Sequence, residues 1–177
     1  MKILLVIVLA NFGLAPSGCC QGYFILFNET APTRLGSING PLAGPGTWAQ
    51  ALAGRTSDSL EWVGMPVEHF GGGLTWGATT AVPWANPTET VFVQMVAWDG
   101  TLWGTNVANV PPNQFGRTDT VPVIVLLPTQ PLLIPQFTQP AVVPAVPEPG
   151  TASLMILGVS FLWLVALRRR RSRATDR

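Results

Sequence analysis

Residues Thr151 to Leu167 form a run of seventeen residues without charge, and four consecutive arginines, Arg168, Arg169, Arg170 and Arg171, follow at once. At about 1.5 Å per residue a helix of that length covers roughly 25 Å, near the short end of what crosses a bilayer core of about 30 Å. Leucine, methionine and alanine favour the helix, no proline interrupts it, and only Thr151, Ser153 and Ser160 are polar. The run is apolar all round rather than on one face, which suits lipid better than the surface of a globular core. Arg168, Arg169, Arg170 and Arg171, with Arg173 and Arg177, hold six of the ten Lys and Arg residues. Such a positive end acts as a stop-transfer signal and stays cytoplasmic during insertion. The preceding chain is then expected to fold on the far side of the inner membrane. Topology accounts for these arginines, and no nucleic-acid partner is expected.

The other end agrees. Met1-Lys2 precedes the aliphatic run Ile3 to Ala10, and Pro16-Ser17-Gly18 is a helix-breaking, small-residue segment. That order reads as a signal peptide over residues 1–20. Two outcomes stay open: cleavage between about Ala15 and Cys20, or acylation of Cys19. Ser17-Gly18-Cys19 has the ending of a lipobox, with Pro16 where an aliphatic residue is usual. Cys19 and Cys20 are the only cysteines. They cannot staple the passenger or build a metal site of ordinary spacing, so packing alone must hold it.

Between the two ends the charge balance changes sign. Residues 21–150 carry three arginines against eight carboxylates, about −5, although the whole chain is near neutral. A mildly acidic, arginine-poor passenger is a poor nucleic-acid binder. Its pattern is that of strands. Tyr23 to Phe27 is a short aromatic and aliphatic run, and Thr47 to Ala53 alternates Trp48, Gln50 and Leu52 with alanines. Leu60 to Gly64 and Val67 to Phe70 read as two strands separated by Met65-Pro66. Gly71-Gly72-Gly73 is a turn, and Leu74 to Trp76 a further short strand. Thr90 to Trp98 is the clearest strand, closed by Asp99-Gly100, with Thr101 to Trp103 as its return. Val121 to Leu127 is the last, with Pro122 placing it at an edge. Short strands at intervals of roughly 10 residues point to an all-β, jelly-roll-like β-sandwich over residues 21–121.

From Pro122 the chain becomes proline-rich and carries no charge before Glu148. Residues 122–146 are expected to be a largely extended linker, or stalk. Leu126-Leu127, Leu132-Leu133-Ile134 and Val142-Val143 are more apolar than a typical linker, which leaves open that part of it packs on the domain or along the membrane surface. The last segment, 147–177, joins Pro147-Glu148-Pro149, the apolar run 151–167 and the arginine-rich tail 168–177. In that three-part order it resembles the PEP-CTERM sorting signal of exported proteins from Gram-negative, exopolysaccharide-producing bacteria. The resemblance implies recognition by an exosortase and cleavage at or near Pro147-Glu148-Pro149, then a place at the cell surface or outside the cell. The prolines hold Glu148 extended, as protease-type clefts require. The resemblance covers about 30 residues and implies nothing about the passenger's fold.

Residues able to carry chemistry are sparse. His69 is the only histidine, and no Gly-x-Ser-x-Gly or His-x-x-x-His pattern accompanies it. Carboxylate pairs drawn from Glu61, Glu68 and Asp99 carry no signal beyond what any β-protein offers. No catalytic residue, metal or cofactor is therefore expected, and the passenger reads as a non-enzymatic structural or adhesive module of a surface or matrix protein. The alternative is a carbohydrate-binding module acting on exopolysaccharide through exposed tryptophans. Trp48, Trp62, Trp76, Trp84, Trp98 and Trp103 are read mainly as core, with Trp84 and Trp103, in loop-like contexts, as the exposed exceptions.

Overall fold

The computed structural model describes residues 21–145. Several expectations lie outside them: the signal peptide 1–20 with Cys19, the sorting residues Pro147, Glu148 and Pro149, and the apolar run 151–167. The stop-transfer residues Arg168, Arg169, Arg170 and Arg171 lie outside them too. Among the described residues no helix is long and apolar enough to cross a membrane. The chain divides between Pro144 and Ala145, and the regular elements described in the unit ending at Pro144 are almost all strands.

These are β1 (Gly22–Phe27), β2 (Arg34–Leu35), β3 (Thr47–Gly54), β4 (Glu61–Gly71), β5 (Leu74–Val82), β6 (Thr90–Asp99), β7 (Gly116–Arg117), β8 (Val121–Ile124) and β9 (Val142–Val143). One helical turn, α1 (Gly100–Trp103), and two short 3-10 turns interrupt them. Seven strands make one antiparallel sheet in the order β1-β5-β4-β3-β6-β7, with β8 also on β6. Just past β8, Leu126 bridges to Tyr23 of β1, the two exchanging backbone hydrogen bonds of 2.9 and 3.0 Å. The pairing thus returns to its first strand and closes. The all-β expectation holds, but the sandwich gives way to a single sheet joined end to end, with a small parallel pair, β2–β9, beside it.

Side-chain size explains the closure. The inward residues of β3 are Ala49, Ala51 and Ala53, and those facing them on β6 are Val93, Met95 and Ala97. A closed sheet of few strands has a narrow interior that small and β-branched side chains fill. Phe24 and Leu26 of β1 complete it.

Three other expectations are corrected. Met65-Pro66 does not separate two strands. β4 runs unbroken for eleven residues and absorbs the dipeptide in a bulge, where Gly64 to Pro66 oppose Gln50 alone. Gly64 there has φ +66°, and its carbonyl accepts from Gln50 Nε2 at 2.8 Å. A proline without an N–H is tolerated where the ladder is already interrupted. Second, Thr101 to Trp103 is no hairpin return. Asp99 caps it as a helical turn, its carboxylate accepting from Thr101 N at 2.8 Å and Thr101 Oγ1 at 2.6 Å.

Third, the described part of the expected stalk, 122–145, does not stand free: it packs on the domain, the alternative its apolar pairs left open. Val123 and Val125 enter the core from β8 and its extension, and Phe137, Ala141 and Val143 enter it from the segment that leads into and through β9. The Asp119 carboxylate accepts from Thr138 N, Thr138 Oγ1 and Gln139 N, and Thr30 Oγ1 donates to the Phe137 carbonyl at 2.7 Å. Pro122 fits because it sits where no donor is needed. Val125, an odd position, bonds toward the β6 side, so Pro122 turns its missing N–H away from β6.

Candidate functional site

His69 is fully buried. Its Nδ1 lies 3.1 Å from the Thr47 carbonyl oxygen, and Thr75 Oγ1 stands 3.0 Å from the ring. With Nδ1–H donating to the carbonyl, Nε2 accepts from the threonine. Burial pulls the pKa down to about 4 against an opposing pull from the carbonyl, so the ring is neutral at neutral pH. Both nitrogens are engaged inside the barrel, and the imidazole ties β3, β4 and β5 together.

The tryptophans do not fill the core. Among the described residues only Trp98 is a fully buried tryptophan, its Nε1 donating to the Gly104 carbonyl at 2.9 Å under the loop that carries Phe115. Trp48, Trp84 and Trp103 are half-buried, while Trp62 is 42% and Trp76 68% exposed. An interior lined by alanine and valine leaves little room for indoles, and Trp48, Trp62 and Trp76 lie on the outer face of their strands.

Trp84 and Trp103 are therefore not the exposed exceptions. Trp84 packs on the core with part of its surface, and the Arg55 guanidinium stands 5.3 Å from its ring centroid. That guanidinium also donates to the Trp84 carbonyl at 2.6 Å and pairs with Glu89 at 2.6 Å. A cleft of about 160 Å³ beside it is lined by Gly54, Arg55, Ser59, Glu61 and Trp84. The chain's own arginine occupies the stacking position. Trp103 lies in α1. A larger groove, about 670 Å³, runs along β8 between Val121–Ile124 and Leu132–Ile134 and is walled by aliphatic side chains with Gln136.

The residues brought together on the outside form a row across the strands. Phe27 of β1 is paired with Trp76 of β5, ring centroids 5.4 Å apart. Glu68 of β4 is paired with Trp48 of β3, and Trp48 with Trp98 of β6. One step from the His69–Thr75 pair sets Glu68 beside Trp76. With strands about 4.8 Å apart, the result is a continuous band, Phe27-Trp76-Glu68-Trp48, ending where the loop covers Trp98. Glu68 Oε1 accepts from Gly46 N at 2.8 Å, which fixes the carboxylate beside Trp48. No local pattern marks this band in the sequence, because its members come from four strands and meet only through register.

The tail is the part that the comparisons identify. A family model, the PEP-CTERM protein-sorting motif, matches residues 145–171. The chain carries a PEP-CTERM sorting signal. The match takes in Pro147, Glu148 and Pro149, the apolar run, and Arg168, Arg169, Arg170 and Arg171, and it stops short of the passenger. A PEP-CTERM signal marks an exported protein, sorted by an exosortase and associated with the membrane or the surface. No curated protein and no solved structure matches the chain.

Proposed function

We propose that this is a cell-surface or extracellular-matrix protein whose closed β domain acts without turnover, as a structural or adhesive module. In this reading, residues 1–20 start export across the inner membrane. Residues 151–167 hold the precursor in the bilayer, and Arg168, Arg169, Arg170 and Arg171 stay on the cytoplasmic side. Exosortase then processes the precursor at Pro147-Glu148-Pro149. The observation that carries it is the direct succession of the two parts: the folded unit ends at Pro144 and the sorting match begins at residue 145. A barrel-like sheet with its ends joined also suits display outside the cell, since closure leaves few strand edges to aggregate. Replacing Pro147, Glu148 and Pro149 together by alanine tests the processing. A full-length, membrane-retained species is expected, and unchanged release of a shortened form would overturn it. Purified domain is expected to leave a panel of glycans and peptides uncleaved, and turnover of any of them would overturn the non-enzymatic reading.

A second reading, saccharide binding at the surface, is favoured by one observation: the exposed Trp76 ring beside Phe27. Indole faces stack on the C–H faces of sugars, and the emission of an exposed indole changes on stacking. Tryptophan emission that no polysaccharide alters would remove this reading.

A further inference from the structure

We infer that the band Phe27-Trp76-Glu68-Trp48 is a cation-selective saccharide site, taking an amino-sugar polymer through its protonated amines. The proposal rests on the saccharide reading above and adds to it the charge of the sugar. Trp76 and Trp48 flank Glu68 on adjacent strands, so a single carboxylate stands between two indole rings. An aromatic face attracts a cation through its quadrupole, and a carboxylate next to it supplies the opposite charge and an acceptor for an ammonium N–H. A neutral sugar would use the rings and could donate a hydroxyl to the carboxylate, but would bring no opposite charge to it. An acidic sugar would be repelled by it.

The rest of the described surface agrees in sign. Its three arginines face seven carboxylates, and each arginine is engaged elsewhere. Arg55 pairs with Glu89, Arg34 donates to the Gly40 carbonyl at 3.0 Å, and Arg117 lies over Phe115 and reaches Gln94. Glu68 is exposed, and its bond to Gly46 N uses only Oε1. The occupant that fits an aromatic band bearing a held negative charge is a chain of pyranose rings with ammonium groups.

The test is titration of the full-length protein in detergent with a glucosamine hexamer, its fully N-acetylated counterpart and a neutral glucan, read by tryptophan emission. The glucosamine hexamer is expected to bind best and to weaken as salt rises. Glu68→Gln keeps an acceptor for Gly46 N while removing the charge, and Trp76→Ala removes an exposed ring. Each is expected to weaken binding roughly tenfold, Glu68→Gln with an unchanged melting temperature and Trp76→Ala with a folded β-sheet circular-dichroism spectrum. Trp84→Ala is expected to leave affinity unchanged. If the acetylated hexamer or the glucan binds as well as glucosamine, or Glu68→Gln binds like the parent, the charge assignment is overturned while the saccharide reading stands. If no saccharide binds, both fall.

Discussion

His69 shows how one buried residue makes the domain's stability depend on pH. Its pKa falls from an ordinary 6.5 to about 4 in the folded protein, because burial disfavours the imidazolium. The unfolded chain therefore binds a proton that the folded one refuses. The contribution is fully present above about pH 6.5 and is lost as pH falls toward 4, by roughly 3 kcal/mol in all. Urea midpoints measured across that window are expected to drop with acid, and His69→Gln is expected to flatten the slope. An equal slope in the variant would assign the effect to other groups. Asp119 acts in a lower window. Burial raises its pKa, but the hydrogen bonds from Gln139 and Thr138 outweigh this and hold it below the usual 3.8. Its contribution is present above that value and lost as pH falls below it. The tryptophans teach the converse lesson. Their number is visible in the sequence, but which way each points depends on how much room alanines 49, 51 and 53 leave inside, a property of the closed sheet.

At the scale of the element, alternation is legible and register is not. β1, β3 and β6 can be read directly because apolar residues recur at every second position and Asp99-Gly100 or proline punctuates them. β4 misleads at Met65-Pro66 because proline normally ends a strand, whereas here a bulge with Gly64 at φ +66° takes it in. An added Cβ at Gly64 would come within 2.8 Å of Thr80 Cγ2 and force a backbone that side chains rarely adopt. Gly64→Ala is accordingly expected to cost about 1–3 kcal/mol, read as a lower melting temperature. A variant as stable as the parent would show that the bulge relaxes freely. The run 122–143 misleads for a related reason. Its proline content suggests a linker, while Val123, Val125, Phe137, Ala141 and Val143 are spaced to enter a core. A fragment of residues 21–121 is expected to lack the cooperative unfolding transition that a 21–145 fragment shows. Equal cooperativity in the shorter one would restore the stalk.

For the whole molecule, export and fold come from separate stretches of sequence. The C-terminal end of the chain carries its address in local composition, which is why the sorting signal is readable from order alone: motif, apolar run, arginines. The passenger's architecture rests on pairings between distant residues, such as Tyr23 with Leu126 and Arg34 with Val142, that no local pattern records. The account depends on the tail being removed once it has delivered a folded β domain outside the cytoplasm. The most direct measurement is the mass of the form released at the surface. The account predicts a C-terminus at or near Pro147-Glu148-Pro149, with the apolar run and Arg168 to Arg177 gone. A released protein that still carries those arginines would contradict it.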